Sequence, residues 1–257
     1  MDKSSVAGVF LAVAGIVAGL LIEGGNLGQI LQPTTALIVF GGTMGAVLLQ
    51  FPMSTVFAAF RSMGHLFVAP RKQNDQLIRT LVSFANKARR SGVVSLDNDL
   101  QSIQNPFLRQ CLMLAVDGTE PTELRKIMLV SLDSTTESEE RLPAVFESAG
   151  GFSPTIGILG AVLGLIQVMQ HLDNIQEVGR GIAVAFVATI YGVGIANLFF
   201  LPFAGKMRIR IRQEHLNREM ILEGVTSILE GMNPRMLEIK LYGFLDTPIQ
   251  NRKENAA

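Results

Sequence analysis

Residue types that carry out chemistry are few in this chain, and they are scattered. Cys111 is the single cysteine, so neither an internal disulfide framework nor a cysteine-based metal cluster is expected. The three histidines, His65, His171 and His215, lie far apart and give a zinc site little to build on. No nucleophile stands in a pattern with a base, and no glycine-rich loop with a lysine offers to hold phosphate. The expectation is a protein that is not an enzyme and holds no metal or cofactor. Thr155 and Thr189 each put a hydroxyl in a long apolar tract. Such a hydroxyl either bonds back to its own helix carbonyl or lines a polar path, and spacing alone leaves both readings open.

The elements that hold these residues follow from the distribution of charge. The chain has 257 residues, with 22 Lys+Arg balanced by 22 Asp+Glu, and only 17% of it is charged. Soluble domains carry about 25%. The charges are also segregated. Charge-free runs of 19 residues separate Lys3 from Glu23 and of 37 residues separate Glu23 from Arg61, and two more cover Ser148 to Gln170 and Gly181 to Gly205. A membrane span needs about 20 mostly apolar residues. Spans are therefore expected near residues 4–22, 34–51, 151–169 and 181–201, with Pro52 ending or kinking the second. The first run ends in Leu21-Ile22-Glu23-Gly24-Gly25 without a small-x-small cleavage site, so it reads as a retained helix rather than a signal peptide. Nucleic acid is an unsuitable partner for charged blocks so nearly balanced in sign.

Basic residues set the orientation. Residues 61–150 carry 11 Lys/Arg and the tail from Lys206 carries nine, whereas the two short connections hold only Arg180. The positive-inside bias puts both large segments and both termini on the cytoplasmic side of the membrane. Four regions result: 1–60 with the first two spans, 61–147 as a cytoplasmic helical domain, 148–205 with the last two spans, and 206–257 as a helical tail. The cytoplasmic parts read as helices. Leu77, Ile78, Leu81, Val82 and Ala85 form one stripe, and Leu124, Ile127, Met128 and Leu132 another, following Pro121 and Glu123 at a helix start. Leu216, Met220, Val225 and Ile228 form a third. Ser95, followed by Asp97 and Asp99, reads as an N-cap with acids in the first turn.

The four tracts contain no Asp, Glu, Lys, Arg or His. A proton carrier places an ionisable group in the membrane interior. If this protein conducts protons, the titrating carboxylate must come from another polypeptide. What the last two tracts do contain is small residues at helical spacing: Gly157, Gly160, Ala161 and Gly164 in one, Gly181, Ala185, Ala188, Gly192 and Ala196 in the other. Such faces let helices approach closely in lipid.

Three stretches give the chain a family resemblance. They are Gly150-Gly151-Phe152-Ser153-Pro154-Thr155-Ile156-Gly157 running on to Ile166, Ala188-Thr189-Ile190-Tyr191-Gly192 through Asn197 to Pro202, and Arg89-Arg90-Ser91-Gly92-Val93-Val94-Ser95-Leu96-Asp97, with Asn233-Pro234-Arg235 in support. Over nearly its whole length the chain resembles the MotA/PomA family of flagellar stator proteins. The resemblance implies an all-α integral membrane protein with four transmembrane helices and a helical cytoplasmic domain, assembled as a homopentamer. It implies a MotB-like partner with one span and a peptidoglycan-binding domain, whose aspartate supplies the missing carboxylate. It further implies torque delivered to the rotor switch protein FliG.

Carried over residue by residue, Pro154 and Pro202 match two prolines tied to coupling between ion passage and movement. Read without the resemblance, Pro154 opens a helix and Pro202 ends one. Arg89, with Arg90 as its neighbour, and Asp97 match rotor-facing positions, although Asp97 is one methylene shorter than the family's glutamate. Thr155, Ala161 and Thr189 match positions lining the ion path. Sodium-driven members resemble one another in having a threonine where this chain has Ala161 and Thr-Thr where it has Ala188-Thr189. The loss of two oxygen ligands points to protons rather than sodium as the transported ion. Two other expectations stay open: an ExbB/TolQ-like channel subunit, and a membrane scaffold without ion flux.

Overall fold

The computed structural model describes residues 3–66 and 74–245, and among these every regular element is helical. In order they are α1 (Lys3–Ile22), α2 (Leu27–Ile30), α3 (Pro33–Ala36), a π-helical turn (Leu37–Gly41), α4 (Gly42–Gln50), α5 (Met53–Leu66) and α6 (Asn74–Ser91). A 3-10 segment (Val93–Ser102) leads to α7 (Pro106–Val116), α8 (Pro121–Gln170) and α9 (Ile175–Ile195). A second π-helical turn (Ala196–Phe200) precedes α10 (Leu201–Leu229) and α11 (Pro234–Tyr242). Asparagines start four of these helices by accepting an orphan backbone N–H: Asn26 from Gly28, Asn105 from Leu108, Asn174 from Gln176 and Asn233 from Arg235.

Two compact units result, one from Met1–Ala69 with Glu139–Ile209, the other from Pro70–Ser138 with Arg210–Ala257. Among the described residues three helical stretches are long and apolar enough to cross a membrane, Pro33–Gln50, Pro121–Gln170 and Ile175–Leu229; their apolar parts lie in the first unit, as does the shorter apolar helix Val6–Ile22. Helix α1 shows the environment such a helix demands: Phe10, Leu11 and Ile22 are all largely exposed, which water would not tolerate. The packed centre of this unit is Phe146 of α8, edge-on to Phe60 at 5.4 Å and to Phe203 at 6.5 Å, with Val47, Val145 and Met207 around it. Arg208 pairs with Glu147 at 2.8 Å nearby.

The second unit has an aliphatic core. Ile78, Leu81 and Ala85 of α6, Leu108 and Leu112 of α7, Leu124 and Met128 of α8, Met220, Val225 and Ile228 of α10, and Leu237 and Leu241 of α11 meet there. Three expected stripes are thus core, apart from Ile127 and Leu216, which are exposed. Cys111 is buried in the same cluster, and burial pushes its thiol up to about 12, so it is an inert small apolar residue. Glu223 receives both Arg125 and Lys240. Burial alone would raise its carboxyl, but the hydrogen bonds from Lys240 and Arg125 outweigh that and hold it below the usual glutamate range.

Three local expectations need correction. Pro154 does not open a helix; it lies inside the 50-residue α8, as does Pro143. Pro202 does not end one either. It is the second residue of α10, where the preceding π-helical turn has already changed the hydrogen-bond register and a missing N–H costs least. Ser95 is not an N-cap. The segment starts after Gly92, whose φ of 77° suits glycine, and the Ser95 hydroxyl donates to the Gly92 carbonyl at 2.7 Å.

Candidate functional site

The small residues of α8 and α9 meet as a zipper of backbone contacts. A Cβ placed on Gly157 would lie 2.8 Å from the Ala188 carbonyl oxygen and 3.1 Å from the Gly192 Cα. One on Gly164 would lie 2.8 Å from the Gly181 oxygen, and one on Gly160 would lie 2.9 Å from the Ala188 Cβ. Only glycine allows such an approach, and in lipid close packing replaces the absent hydrophobic drive. Ser153 adds a polar bond to the contact: its buried hydroxyl donates to the Gly192 carbonyl at 3.0 Å. Tyr191 fastens the other side of α9. Its hydroxyl donates to the Ile30 carbonyl at 2.6 Å and accepts from the Gln32 N–H at 3.2 Å, while its ring stacks on Phe40.

The expected path residues take different places around this zipper. Thr155 is exposed and bonds back to the Phe152 carbonyl at 2.7 Å. Thr189 is half-buried and bonds back to the Ala185 carbonyl at 3.2 Å. Both hydroxyls thus take the local bond, the plainer of the two readings. Ala161 is half-buried beside the glycine face. On a helix of 3.6 residues per turn Thr155 lies opposite the stripe formed by Ser153, Gly157, Gly160 and Gly164, so it points away from α9. Pro154 is half-buried and Pro202 exposed.

The charged set belongs to the other unit. Arg89 and Arg90 occupy the last turn of α6, both exposed, and Asp97 is exposed on the 3-10 segment beyond the Gly92 turn. The neighbouring acid is spoken for, because Asp99 pairs with Lys87 at 2.6 Å. That bond anchors the segment to α6 with Leu96 buried beneath it, leaving Asp97 outward. A cleft of about 460 Å³ between α6, α7 and α10 is lined by amides such as Asn74, Gln104 and Asn217, with Glu214 its one ionisable side chain. Among the described residues no group of three His, Cys, Asp or Glu is placed to hold a metal.

Ser153 and Tyr191 stand within the motifs of the family resemblance, but the sequence alone assigns them no role. A serine among glycines on the packing stripe was a usable signal for the first. The second had none, since its partners are about 160 residues away in the chain.

An all-helical membrane protein emerges, with a helix pair whose glycine-packed apolar stretches lack Asp, Glu, Lys, Arg and His, and with a charged helical unit besides. The family model for the MotA/TolQ/ExbB proton channel family matches residues 99–220, and that for the motility protein A N-terminal region matches residues 6–92. Motility protein A of Bacillus subtilis is 35% identical over 95% of this chain and 91% of its own length. The chemotaxis protein PomA of Vibrio alginolyticus is 31% identical over 96% of each. The solved flagellar MotAB stator complex of B. subtilis contains a chain that superposes with a TM-score of 0.90, at 33% identity and full coverage of both. The chain belongs to the MotA/PomA family, within the MotA/TolQ/ExbB proton channel family.

Proposed function

We propose that this protein is the ion-channel subunit of a bacterial flagellar stator. Together with a MotB-like subunit of one span, it conducts protons across the inner membrane and converts the flux into torque on FliG. The observation that carries the reading is the crossing of the apolar stretches of α8 and α9: sealed by glycine-to-backbone contact and holding no Asp, Glu, Lys, Arg or His, it suits the wall of a channel whose acid another chain supplies. In this reading α1, the stretch from α3 to α4, and the apolar parts of α8 and α9 form four spans, and five copies surround the partner. Both termini lie in the cytoplasm, where Arg89, Arg90 and Asp97 face the rotor. Thr155, Ala161 and Thr189 line the path, and Pro154 and Pro202 give the helices their bending points. Ala161 and Ala188 offer no oxygen to a dehydrating sodium ion, which supports proton coupling.

Deletion of the gene, scored for swimming and filament assembly in the same cells, tests the reading. Flagellated but paralysed cells are expected. Normal swimming, with no second stator in the cell, would overturn it. In the complemented strain, speed should follow the proton gradient and ignore external sodium.

A further inference from the structure

The polypeptide is weakened at two places that face each other. In α8, Pro154 has no N–H to give the Gly150 carbonyl, so one rung of the helix is missing between those residues. Between α9 and α10, residues 196–200 form a π-helical turn, a wider and less stable winding. The proline turn of α8 touches both ends of that π turn. Upstream, the Ser153 hydroxyl donates to the Gly192 carbonyl, which also accepts the N–H of Ala196, the first residue of the turn. Downstream, Gly150 lies so close to Leu201 that a Cβ would be 2.7 Å from its Cδ2, with Phe200 beside it. The downstream contact is apolar and can slide. Ser153 contributes a directional bond between the two turns, and it is fully buried.

We propose that Ser153 is a positioning residue for torque generation. It latches the weak turn of α8 to the weak turn of α9–α10, so that bending at one is transmitted to the other. This rests on the stator reading above. Without the hydroxyl the helices still pack through Gly157, Gly160 and Gly164, so the protein assembles; what is lost is the registration between the two bends.

Ser153→Ala in the full-length protein, expressed with its partner subunit, tests this in a tethered-bead assay where motor speed rises in steps as stator units engage. The height of each step reports torque per unit and the number of steps reports assembly. The expected result is a step height reduced about two- to threefold, the scale of one interhelical hydrogen bond in a membrane, with an unchanged number of steps. Ser153→Cys, of similar volume with a weak donor, should fall between. A wild-type step height overturns the proposal, and so does a reduced number of steps of full height, which marks a residue needed for packing only. Should Ser153→Ala fail to accumulate, Ser153→Cys decides, since a full step height there overturns the proposal as well. Failure of the stator reading is seen separately, as a deletion strain that swims normally.

Discussion

Gly192→Ala is the sharpest test of the helix crossing. A Cβ at this position would lie 2.5 Å from the Ser153 carbonyl oxygen and 3.0 Å from the Gly157 Cα, and both neighbours are backbone. No side chain can rotate away. Ordinary contact begins at 3.4 Å, so the helices must part by about 0.9 Å, which also stretches the Ser153 hydrogen bond beyond its useful length. Overpacking of this kind costs about 1–3 kcal/mol, and a backbone clash belongs near the upper end. For a chain of this size the melting temperature of the detergent-solubilised protein should fall by roughly 4–12 °C, and swimming should be lost or severely slowed. Gly194→Ala is the matched control. It lies two residues along, no other described helix comes within 4 Å of its Cβ position, and exchanging a helical glycine for alanine should be neutral or slightly stabilising. Equal melting temperatures for Gly192→Ala and wild type would refute the backbone-contact argument, because no rearrangement short of helix separation relieves the clash.

Three further outcomes are expected. Tyr191→Phe keeps the ring on Phe40 but strips the Gln32 N–H and the Ile30 carbonyl of their partner, at about 1–3 kcal/mol; amide exchange across residues 30–32 should accelerate, and unchanged exchange would count against the tie. Glu223 has a lowered folded pKa, so its pairing with Arg125 and Lys240 stabilises fully above the ordinary glutamate value of about 4.3 and is lost as pH falls through the lower folded one. Glu223→Gln should therefore melt below wild type at pH 7, with the gap closing in acid, and a gap independent of pH would show that the pairing is not the cause. Arg89→Ala and Arg90→Ala should each spare most swimming, as exposed charges worth under about 1 kcal/mol do, whereas reversing both to Glu should stop it; a full loss from either single change would replace the shared-charge reading with a specific contact.

The helices themselves were legible because each expected tract or stripe carries its own period or its own lack of charge. The Pro121 start and the break at Pro52 between α4 and α5 are local signals, and the chain obeys them. Pro154 and Pro202 were read as boundaries by the same local rule, and there the rule failed. A 50-residue helix loses one rung at Pro154 while its neighbours on both sides stay packed, so the break is bridged. At Pro202 the register shift of the π turn does the accommodating, and a π turn has no sequence period to betray it. Ser95 was misread because Gly92 begins the segment three residues earlier. The ties made by Tyr191 and Ser153 depend on which helices become neighbours, a fact no window of sequence contains.

The arrangement of hydroxyls bears on where an ion can travel. Thr43, Thr155 and Thr189 each bond to a carbonyl of their own helix, which satisfies the hydroxyl hydrogen and leaves oxygen lone pairs as the available polar feature. The glycine zipper leaves no room for water between α8 and α9, with backbone atoms already at contact distance. A route through the interior of this helix pair is thereby closed. The proposed path must run along its outside, past Thr155 on the exposed face of α8, where a second polypeptide would complete the wall. A channel built this way gains an advantage from having no acid of its own. An ionisable group on the exposed face would have to be desolvated whenever the partner helix moved past it, at a cost of several kcal/mol. In the proposed complex, a carboxylate kept on the partner would place the charge on the moving contact alone, and the helices of this chain would respond to it without carrying a charge through lipid.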